Sequence, residues 1–195
     1  MSADPPCLEV AWAPSTDAYR ENRAHSIQAA LDVFKECNGF IKVYDAWKTL
    51  GHHEAVQKDP ILYPKLGEAV MKFWSGSPHM LHVQPTSEPY ASFSAPVTEL
   101  AFVTLKPNQS KERLENLADK LIKGIPANEE TGLVSALWGS VVEHDKMVAL
   151  ILGWNSVEAH ERFVTTDLGT IRLLDQIREI ADIAGSHSAL HENTV

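Results

Sequence analysis

Apolar and polar positions follow a clear pattern in the second half of the chain. Residues 98–105 are rich in apolar and β-forming side chains, which predicts a strand that closes at Pro107. From Ser110 onward the apolar positions recur at helical spacing, while charged residues occupy the opposite face. Gly124 and Pro126 end this predicted amphipathic helix. Its apolar positions are Leu114, Leu117, Leu121 and Ile122.

The remainder of the second half predicts a hairpin, a helical region and a closing strand. Residues 133–142 and 147–154 flank a polar turn, as the strands of a hairpin do. Ser156 begins a helical region that continues beyond Asp167, and residues 187–191 are compatible with a short last strand. The inward positions expected after Asp167 are Ile171, Leu174, Ile177, Ala181 and Ala184. The predicted order is β-α-β-β-α-β.

The first half repeats this order in a shorter form. Its predicted elements are a strand over 8–12, a helix over 17–34, a β-rich stretch over 40–47, a helical region over 50–73 and a strand over 80–83. Pro60 and Pro64 are expected to interrupt the second helical region, because proline lacks the backbone N–H group that a helix interior needs.

One stretch of sequence supports a repeated unit directly. Trp47 is followed by His53, Glu54 and Val56 at the same offsets at which His160, Glu161 and Phe163 follow Trp154. A unit of roughly 90 residues that occurs twice predicts that the two copies pack together, because each half-sheet has a face that needs cover. The predicted domains are residues 1–85 and 97–195, joined by a linker over 86–96 that is rich in Pro and Ser.

The two copies differ between the first helix and the repeated tryptophan. Gly132 precedes Trp154 by 22 positions, whereas Gly39 precedes Trp47 by 8, so the first copy is 14 residues shorter. Either one long strand over 40–47 replaces the hairpin, which is the favoured interpretation, or the sheet is completed from elsewhere. An incomplete sheet has an unpaired edge, and homodimerisation is one way to cover it.

Composition and charge exclude several classes of protein. Hydrophobic residues make up 44% and charged residues 22% of the chain, which is typical of a folded domain. The net charge of −9 and the lack of a basic stripe argue against a nucleic-acid partner. No apolar stretch is long enough for a membrane span, and the first residues lack the pattern of a secretory leader, so we expect a cytoplasmic protein.

Several segments carry a resemblance to a known family. The segments "GFIKVY", "WKTLGHHEAV" and "MLHV" of the first half, and "WNSVEAHERF" of the second, resemble the antibiotic-biosynthesis-monooxygenase type of dimeric α/β-barrel, especially tandem fungal members of uncharacterised function. The resemblance implies an α+β fold in which tandem ferredoxin-like βαββαβ halves form an intramolecular dimeric α/β-barrel. The first half is expected to lack part of the hairpin formed by its second and third strands. The resemblance also implies a pocket between sheet and helices.

The candidate catalytic residues are His53, Tyr44 and His82, all in the first half. A neutral imidazole at His53 could abstract a proton from a phenol or an activated carbon. Alternatively, His53 packs at the start of its helix. His82 faces either the pocket, where it would meet His53 and Tyr44, or the interface between the halves. Tyr44 could hold a developing oxyanion, or lie at a strand end with a solvated hydroxyl group.

A further set of aromatic and histidine side chains suits a flat hydrophobic molecule. Such residues pack into the core by default, but together they also offer planar apolar surface for a ligand. The candidate substrate-binding residues are Trp47, His52, Phe73, Trp74, Trp138, Trp154 and His160.

The sequence predicts neither a metal nor an organic cofactor. His79 and His82, and likewise His187 and His191, have pairwise metal-ligand spacing but lack a nearby third ligand. Axial ligation of haem by a single histidine, which other members of the superfamily show, stays open. Phosphate-binding glycine loops and the serine-hydrolase elbow do not occur in the sequence.

These observations and the resemblance lead to two functional hypotheses. The first is a cofactor-independent enzyme, either an oxygenase (monooxygenase), a cyclase or an isomerase of secondary metabolism, that acts on a small hydrophobic aromatic or polyketide-like molecule by His-mediated proton abstraction. The second is a non-catalytic ligand-binding or stress-response barrel, and a haem-binding barrel is a third alternative. An open cavity of more than about 300 Å³ that His53 reaches favours the enzyme, whereas a filled interior excludes it.

Overall fold

The first unit of the fold combines short strands with paired helices. In the computed structural model, residues 6–38, 40–42 and 46–190 are described, and they form two compact units, residues 6–82 and 83–190. The elements that begin in the first unit are β1 (Cys7–Trp12), α1 (Asp17–Glu21), α2 (Arg23–Phe34), β2 (Phe40–Lys42), β3 (Ala46–Trp47), α3 (Leu50–Gln57), α4 (Leu62–Val70) and β4 (His79–Pro85).

The second unit has longer strands, and a short helix precedes its first strand. Its elements are α5 (Tyr90–Phe93), β5 (Val97–Leu105), α6 (Lys111–Gly124), β6 (Leu133–Val141), β7 (Met147–Trp154), α7 (Val157–Thr166), α8 (Leu168–Ile180) and β8 (Ala181–Ser188). The helix α6 begins where the Ser110 side chain accepts a hydrogen bond from the Arg113 backbone N–H group, as the sequence pattern predicts.

Both units arrange their strands in the same order. The order is β2-β3-β1-β4 in the first unit and β6-β7-β5-β8 in the second, so each unit places its first strand between its third and its fourth. The predicted α+β fold with ferredoxin-like halves is therefore confirmed, and the order β-α-β-β-α-β is seen in each unit once paired helices are counted together.

The short stretch in the first unit is a hairpin, and the favoured prediction of one long strand over 40–47 is wrong. β2 pairs antiparallel with β3, with Phe40 opposite Trp47 and Lys42 opposite Ala46. β3 also pairs antiparallel with β1, where Cys7 lies opposite Trp47. The prediction that the first half lacks part of the hairpin is confirmed, since these strands have 3 and 2 residues against 9 and 8 in the second unit.

The last helix of the second unit ends earlier than the apolar pattern predicts. Ala181 and Ala184 were expected on the inward face of a helix, but the helix ends at Ile180 and both alanines lie in β8. β8 pairs with β5 along all 8 of its residues, and this pairing overrides the helical periodicity. The last strand therefore begins before His187, and His191 lies outside the described residues.

The helices of the first unit are divided differently from the prediction. The predicted helix over 17–34 is interrupted at Asn22, whose side chain accepts a hydrogen bond from the His25 backbone and caps α2. Pro60 separates α3 from α4 as expected. Pro64 does not interrupt the helix, because it lies in the first turn of α4, where a backbone N–H group has no partner within the helix.

A close approach between α5 and β7 shows why the second unit needs a glycine before its tryptophan. A Cβ atom at Gly153 would lie 2.7 Å from the Ala95 Cβ atom and 2.8 Å from the Ser92 Cα atom. In the first unit Ala46 holds the corresponding position, because Leu8 pairs with Ala46 as Thr98 pairs with Gly153. Ser92 and Ala95, which lie within the predicted linker over 86–96, thus pack against β7 of the second unit.

Each unit has its own buried core. In the first unit α2, β3, α3 and α4 contribute a cluster that includes Phe34, Trp47 and Leu66. In the second unit β5, β7, α6 and α8 contribute a larger cluster that includes Trp154 and Ile177. Among the described residues no helix is both long and apolar enough to cross a lipid bilayer.

Candidate functional site

Four side chains from separate elements meet in the interior of the first unit. Glu9 from β1 accepts a hydrogen bond at Oε2 from the Trp47 indole Nε1, at 2.9 Å. The same carboxylate oxygen lies 3.3 Å from His53 Nε2. The other ring nitrogen of His53, Nδ1, lies 2.5 Å from His82 Nε2. We call these residues, Glu9, Trp47, His53 and His82, the first cluster.

The local sequence explains why His53 points inward and His52 does not. α3 begins after Thr49 and buries one face, which carries His53 and Val56. His52 is rotated by about 100° around the helix. Its Nδ1 lies 2.8 Å from the Thr49 hydroxyl group at the start of α3. The structure therefore does not bring His52, which was predicted to bind substrate, into the first cluster.

The second unit contains the same constellation. Glu99 Oε2 accepts from Trp154 Nε1 at 2.9 Å and lies 3.4 Å from His160 Nε2. His160 Nδ1 lies 2.9 Å from His187 Nε2. We call Glu99, Trp154, His160 and His187 the second cluster. The atoms that face each other are the same in both clusters, residue for residue.

Strand register explains why the constellation occurs twice. Cys7 pairs with Trp47 in the first unit, and Val97 pairs with Trp154 in the second. Each glutamate follows its paired residue by two positions on the same strand, so it lies on the same face of the sheet. In the second unit the neighbouring strand places His187 directly opposite Glu99.

The clusters differ in their access to water. The side chains of His53 and Glu9 are 2% and 7% exposed, and His82 is also buried. The side chains of His160 and Glu99 are 15% and 14% exposed.

In the second cluster His187 lies exposed on β8. Burial lowers the pKa of His160 below its usual value, the Glu99 charge opposes this effect and His187 adds to it. His160 is therefore held toward its neutral form.

A cavity of about 430 Å³ lies beside the first cluster, within the first unit. Glu9 is the only charged residue among the described residues that line it, and the other walls are largely apolar and aromatic. Phe73 and Trp74, which are candidate substrate-binding residues in the sequence, line this cavity together with Tyr63 and Met80. The cavity exceeds the predicted 300 Å³, but the first-cluster residue that lines it is Glu9 and not His53.

A smaller cavity of about 270 Å³ lies beside the second cluster. Its lining includes Glu99, Trp154 and His160, so three members of the second cluster contact this space. Arg178 adds a positive charge and Thr170 is a further polar lining residue. This cavity is therefore more polar than that of the first unit.

The tryptophan in each cluster helps to assign which groups donate and which accept hydrogen bonds. An indole N–H group only donates, so Trp47 makes Glu9 Oε2 an acceptor. The neighbouring His53 Nε2 is then best assigned as an N–H donor to that oxygen, which leaves Nδ1 to accept from His82 Nε2–H. The histidine pair thus holds the carboxylate in one orientation. The same assignment follows for the second cluster.

The same residues also include groups that can bind a metal ion. Glutamate and two histidines in each cluster have ligand atoms within 4.8 Å of one another. However, His53 directs its two ring nitrogens to different partners, Glu9 on one side and His82 on the other. Three protein ligands are the number that a catalytic zinc site uses, and in each cluster these residues already contact one another.

The structure places some of the predicted site residues together and others apart. The structure brings together His53, His82 and Trp47, and separately Trp154 and His160. Tyr44 lies outside the described residues. Trp138 packs against the core of the second unit and is not among the residues that line the two cavities described above.

Sequence reasoning missed both glutamates and gave His187 no role in a site. The segments "LEVA" at 8–11 and "TELA" at 98–101 place a carboxylate at the same point of an otherwise apolar strand in each half. An alignment of the two halves with each other would have revealed Glu9 and Glu99.

Comparisons with known proteins agree on the fold. No protein-family model matches the sequence, and no curated protein matches it significantly. Among solved structures, a proposed monooxygenase from Fusobacterium nucleatum aligns with 98% of this chain and 94% of its own, with a TM-score of 0.63 and 8% identity.

Two further structures extend the comparison. A proposed monooxygenase from Lactobacillus acidophilus aligns with 98% of this chain and 95% of its own, with a TM-score of 0.58 and 12% identity. SnoaB, a cofactor-independent oxygenase from Streptomyces nogalater, aligns with 50% of this chain and 94% of its own, with a TM-score of 0.43 and 13% identity. The chain shares its fold with these two proposed monooxygenases from Fusobacterium nucleatum and Lactobacillus acidophilus. The resemblance found in the sequence is thereby confirmed at the level of the fold.

Proposed function

We propose that this protein is an enzyme that removes a proton from a small hydrophobic molecule without a cofactor. The observation that carries this proposal is the position of the Glu9 carboxylate. It is buried and contacts Trp47 and His53. Among the described residues that line an apolar cavity of about 430 Å³, Glu9 is the only charged one. The cavity volume lies in the usual range for small-molecule sites.

The geometry favours Glu9 as the proton acceptor. The C–H or O–H bond of the substrate breaks, its electron pair stays on the substrate as an enolate or phenolate, and the proton moves to Glu9. Trp47 and His53 act as positioning residues, because they hold Oε2 and fix the direction of the other oxygen. His82 fixes the orientation of His53. The predicted roles of His53 as the base, and of Tyr44 and His82 in polarising the substrate, stay untested hypotheses.

The fold of proposed monooxygenases supports an oxygenase as the first choice among the reactions that begin with this step. An oxygenase would let the enolate or phenolate react with dioxygen, whereas an isomerase or cyclase would return a proton or form a carbon–carbon bond. Oxygen uptake with 1-naphthol, recorded at an oxygen electrode, separates the first possibility from the others.

The second candidate function is a non-catalytic binding protein. The observation that favours it is that His53 and His82 are not among the residues that line the cavity, so both histidines could serve only to stabilise the core. A ligand would then bind without exchange of its protons. The haem-binding alternative predicts a Soret band in the purified protein. The homodimer stays a separate prediction, which analytical ultracentrifugation would test.

Hydrogen–deuterium exchange decides between enzyme and binding protein. The probe is 2-tetralone, a flat ketone with activated C–H bonds, followed by NMR in D₂O. All proteins carry Glu99→Gln, so that only the first unit is measured. We expect Glu9→Gln to slow exchange by about 100-fold or more, as for loss of a general base. Equal rates with and without Glu9, in proteins that fold equally by circular dichroism, would contradict the enzyme.

A further inference from the structure

The function proposed above does not use the second cluster. More of its residues line a cavity than do residues of the first cluster. Glu99, Trp154 and His160 all line the cavity of the second unit, whereas Glu9 alone does so in the first. A substrate in this cavity would contact the carboxylate and the first histidine together. The cavity wall also carries Arg178, whose guanidinium group pairs with Asp175 on the same helix.

The second cluster also forms a continuous path from the cavity to water. Glu99 Oε2 lies 3.4 Å from His160 Nε2, and His160 Nδ1 lies 2.9 Å from His187 Nε2. His187 is exposed on β8, so its remaining ring nitrogen belongs to a side chain that meets solvent. In the first cluster the corresponding His82 is buried, at 6% exposure.

We propose that the second unit is a second catalytic centre, which exchanges protons between solvent and a small enolisable carbonyl compound or phenol through Glu99, His160 and His187. The proposal rests on the proposed function, because it assigns the same chemistry to the related carboxylate. The volume of about 270 Å³ and the polar wall select a smaller and more polar substrate than the first unit takes.

Proton delivery balances atom by atom along this path. Water gives a proton to His187 Nδ1, the Nε2 proton of His187 moves to His160 Nδ1, and the Nε2 proton of His160 moves to Glu99. Glu99 then protonates the carbon of a substrate that enters the cavity as its enolate, and Glu99 is a carboxylate again. Both histidines now carry their protons on Nδ1.

Proton removal returns the path to its starting state. Glu99 takes a proton from the next substrate and passes it to His160 Nε2, the Nδ1 proton of His160 moves to His187 Nε2, and the Nδ1 proton of His187 leaves to water. One proton enters and one leaves per cycle, and no oxidant or reductant is consumed. The centre is therefore suited to tautomerisation and isomerisation.

The test isolates the second unit with Glu9→Gln and measures in D₂O by NMR the exchange of hydroxyacetone, which is a smaller and more polar ketone than 2-tetralone. We expect exchange to persist in this protein and to be lost on adding Glu99→Gln. In the Glu9→Gln background, His187→Ala should slow exchange at least about tenfold, and free imidazole in the buffer should restore it, since a small base can reach an exposed position. His144→Ala, which removes an exposed histidine from the β6-β7 turn, should change nothing.

Each outcome decides one claim. If Glu9→Gln abolishes all exchange while the Glu99→Gln protein stays active, the second centre is refuted and the proposed function stands. If the Glu99→Gln protein is inactive and the Glu9→Gln protein is active, the first site fails and the second centre stands. If His187→Ala has no effect, or if imidazole does not restore its loss in a folded protein, the proton path is wrong.

Discussion

The two clusters contain the same side chains in the same hydrogen-bonded order, but only the second meets water. In the first unit His53 and His82 are buried, and Glu9 alone lines the cavity. In the second unit His160 lines the cavity and His187 lies on an exposed strand. The comparison shows that two clusters with the same residues can differ in whether the second histidine is exposed to solvent.

The largest expected difference concerns the two glutamates. Glu9→Ala leaves the Trp47 and His53 N–H groups without their acceptor in a closed interior, so we expect a loss of about 3–5 kcal/mol in the free energy of unfolding. Glu99→Ala should cost only about 1–2 kcal/mol, because water can replace the carboxylate at a partly exposed position. Guanidinium denaturation measures both. Equal losses would show that the clusters are equally closed.

The residue directly before the tryptophan differs between the two units, and this difference can be tested. Gly153→Ala would drive a Cβ atom into Ala95 and the Ser92 backbone, at an expected cost of about 1–3 kcal/mol from overpacking. The matched change in the first unit, Ala46→Gly, removes a buried methyl group and adds chain freedom, at about 1 kcal/mol. Thermal denaturation of both proteins checks this order. A harmless Gly153→Ala would mean that α5 does not pack tightly on β7.

Replacement of the second histidine of a cluster should destabilise the protein more in the first unit than in the second, as replacement of the glutamate should. His82→Ala removes a buried partner of His53, and we expect a cost of about 1–3 kcal/mol. His187→Ala removes an exposed side chain, and we expect a change within about 0.5 kcal/mol. Urea denaturation should separate the two. A large loss for His187→Ala would place that side chain in a structural role.

The smallest expected effect is a pH dependence in the second unit. Because the pKa of His160 is lowered by burial, the unfolded state binds a proton more readily than the folded state. The stabilisation is present above the unfolded pKa, near 6.5, and is lost as pH falls through the lower folded pKa. His160→Gln should weaken this dependence in denaturation curves recorded from pH 8 to about pH 5. An unchanged dependence would assign the effect to other groups.

The sequence predicts the elements well where the apolar pattern and the turn residues agree. The predicted strand over 98–105 and the hairpin of the second half lie within one residue of β5, β6 and β7. Predictions failed where tertiary pairing decides. Ala184 continues a helical apolar pattern, yet strand pairing with β5 determines its conformation.

About half of the candidate site could be predicted from the sequence. The shared offset between Trp47 and His53, and between Trp154 and His160, identified the core of both clusters. Glu9 could not be found by that argument, because its distance along the chain from Trp47 differs from that of Glu99 from Trp154. The hairpin between them differs in length, and only strand register brings these residues together.

The most direct test of the central claim is the protonation of the first histidine in each cluster. Long-range ¹H–¹⁵N NMR at about pH 8 distinguishes Nδ1 from Nε2 of each ring. The two hydrogen-bonded chains predict that His53 and His160 both carry a proton on Nε2, toward Glu9 and Glu99, and a bare Nδ1. A bare Nε2 with a protonated Nδ1 on either ring would contradict the account.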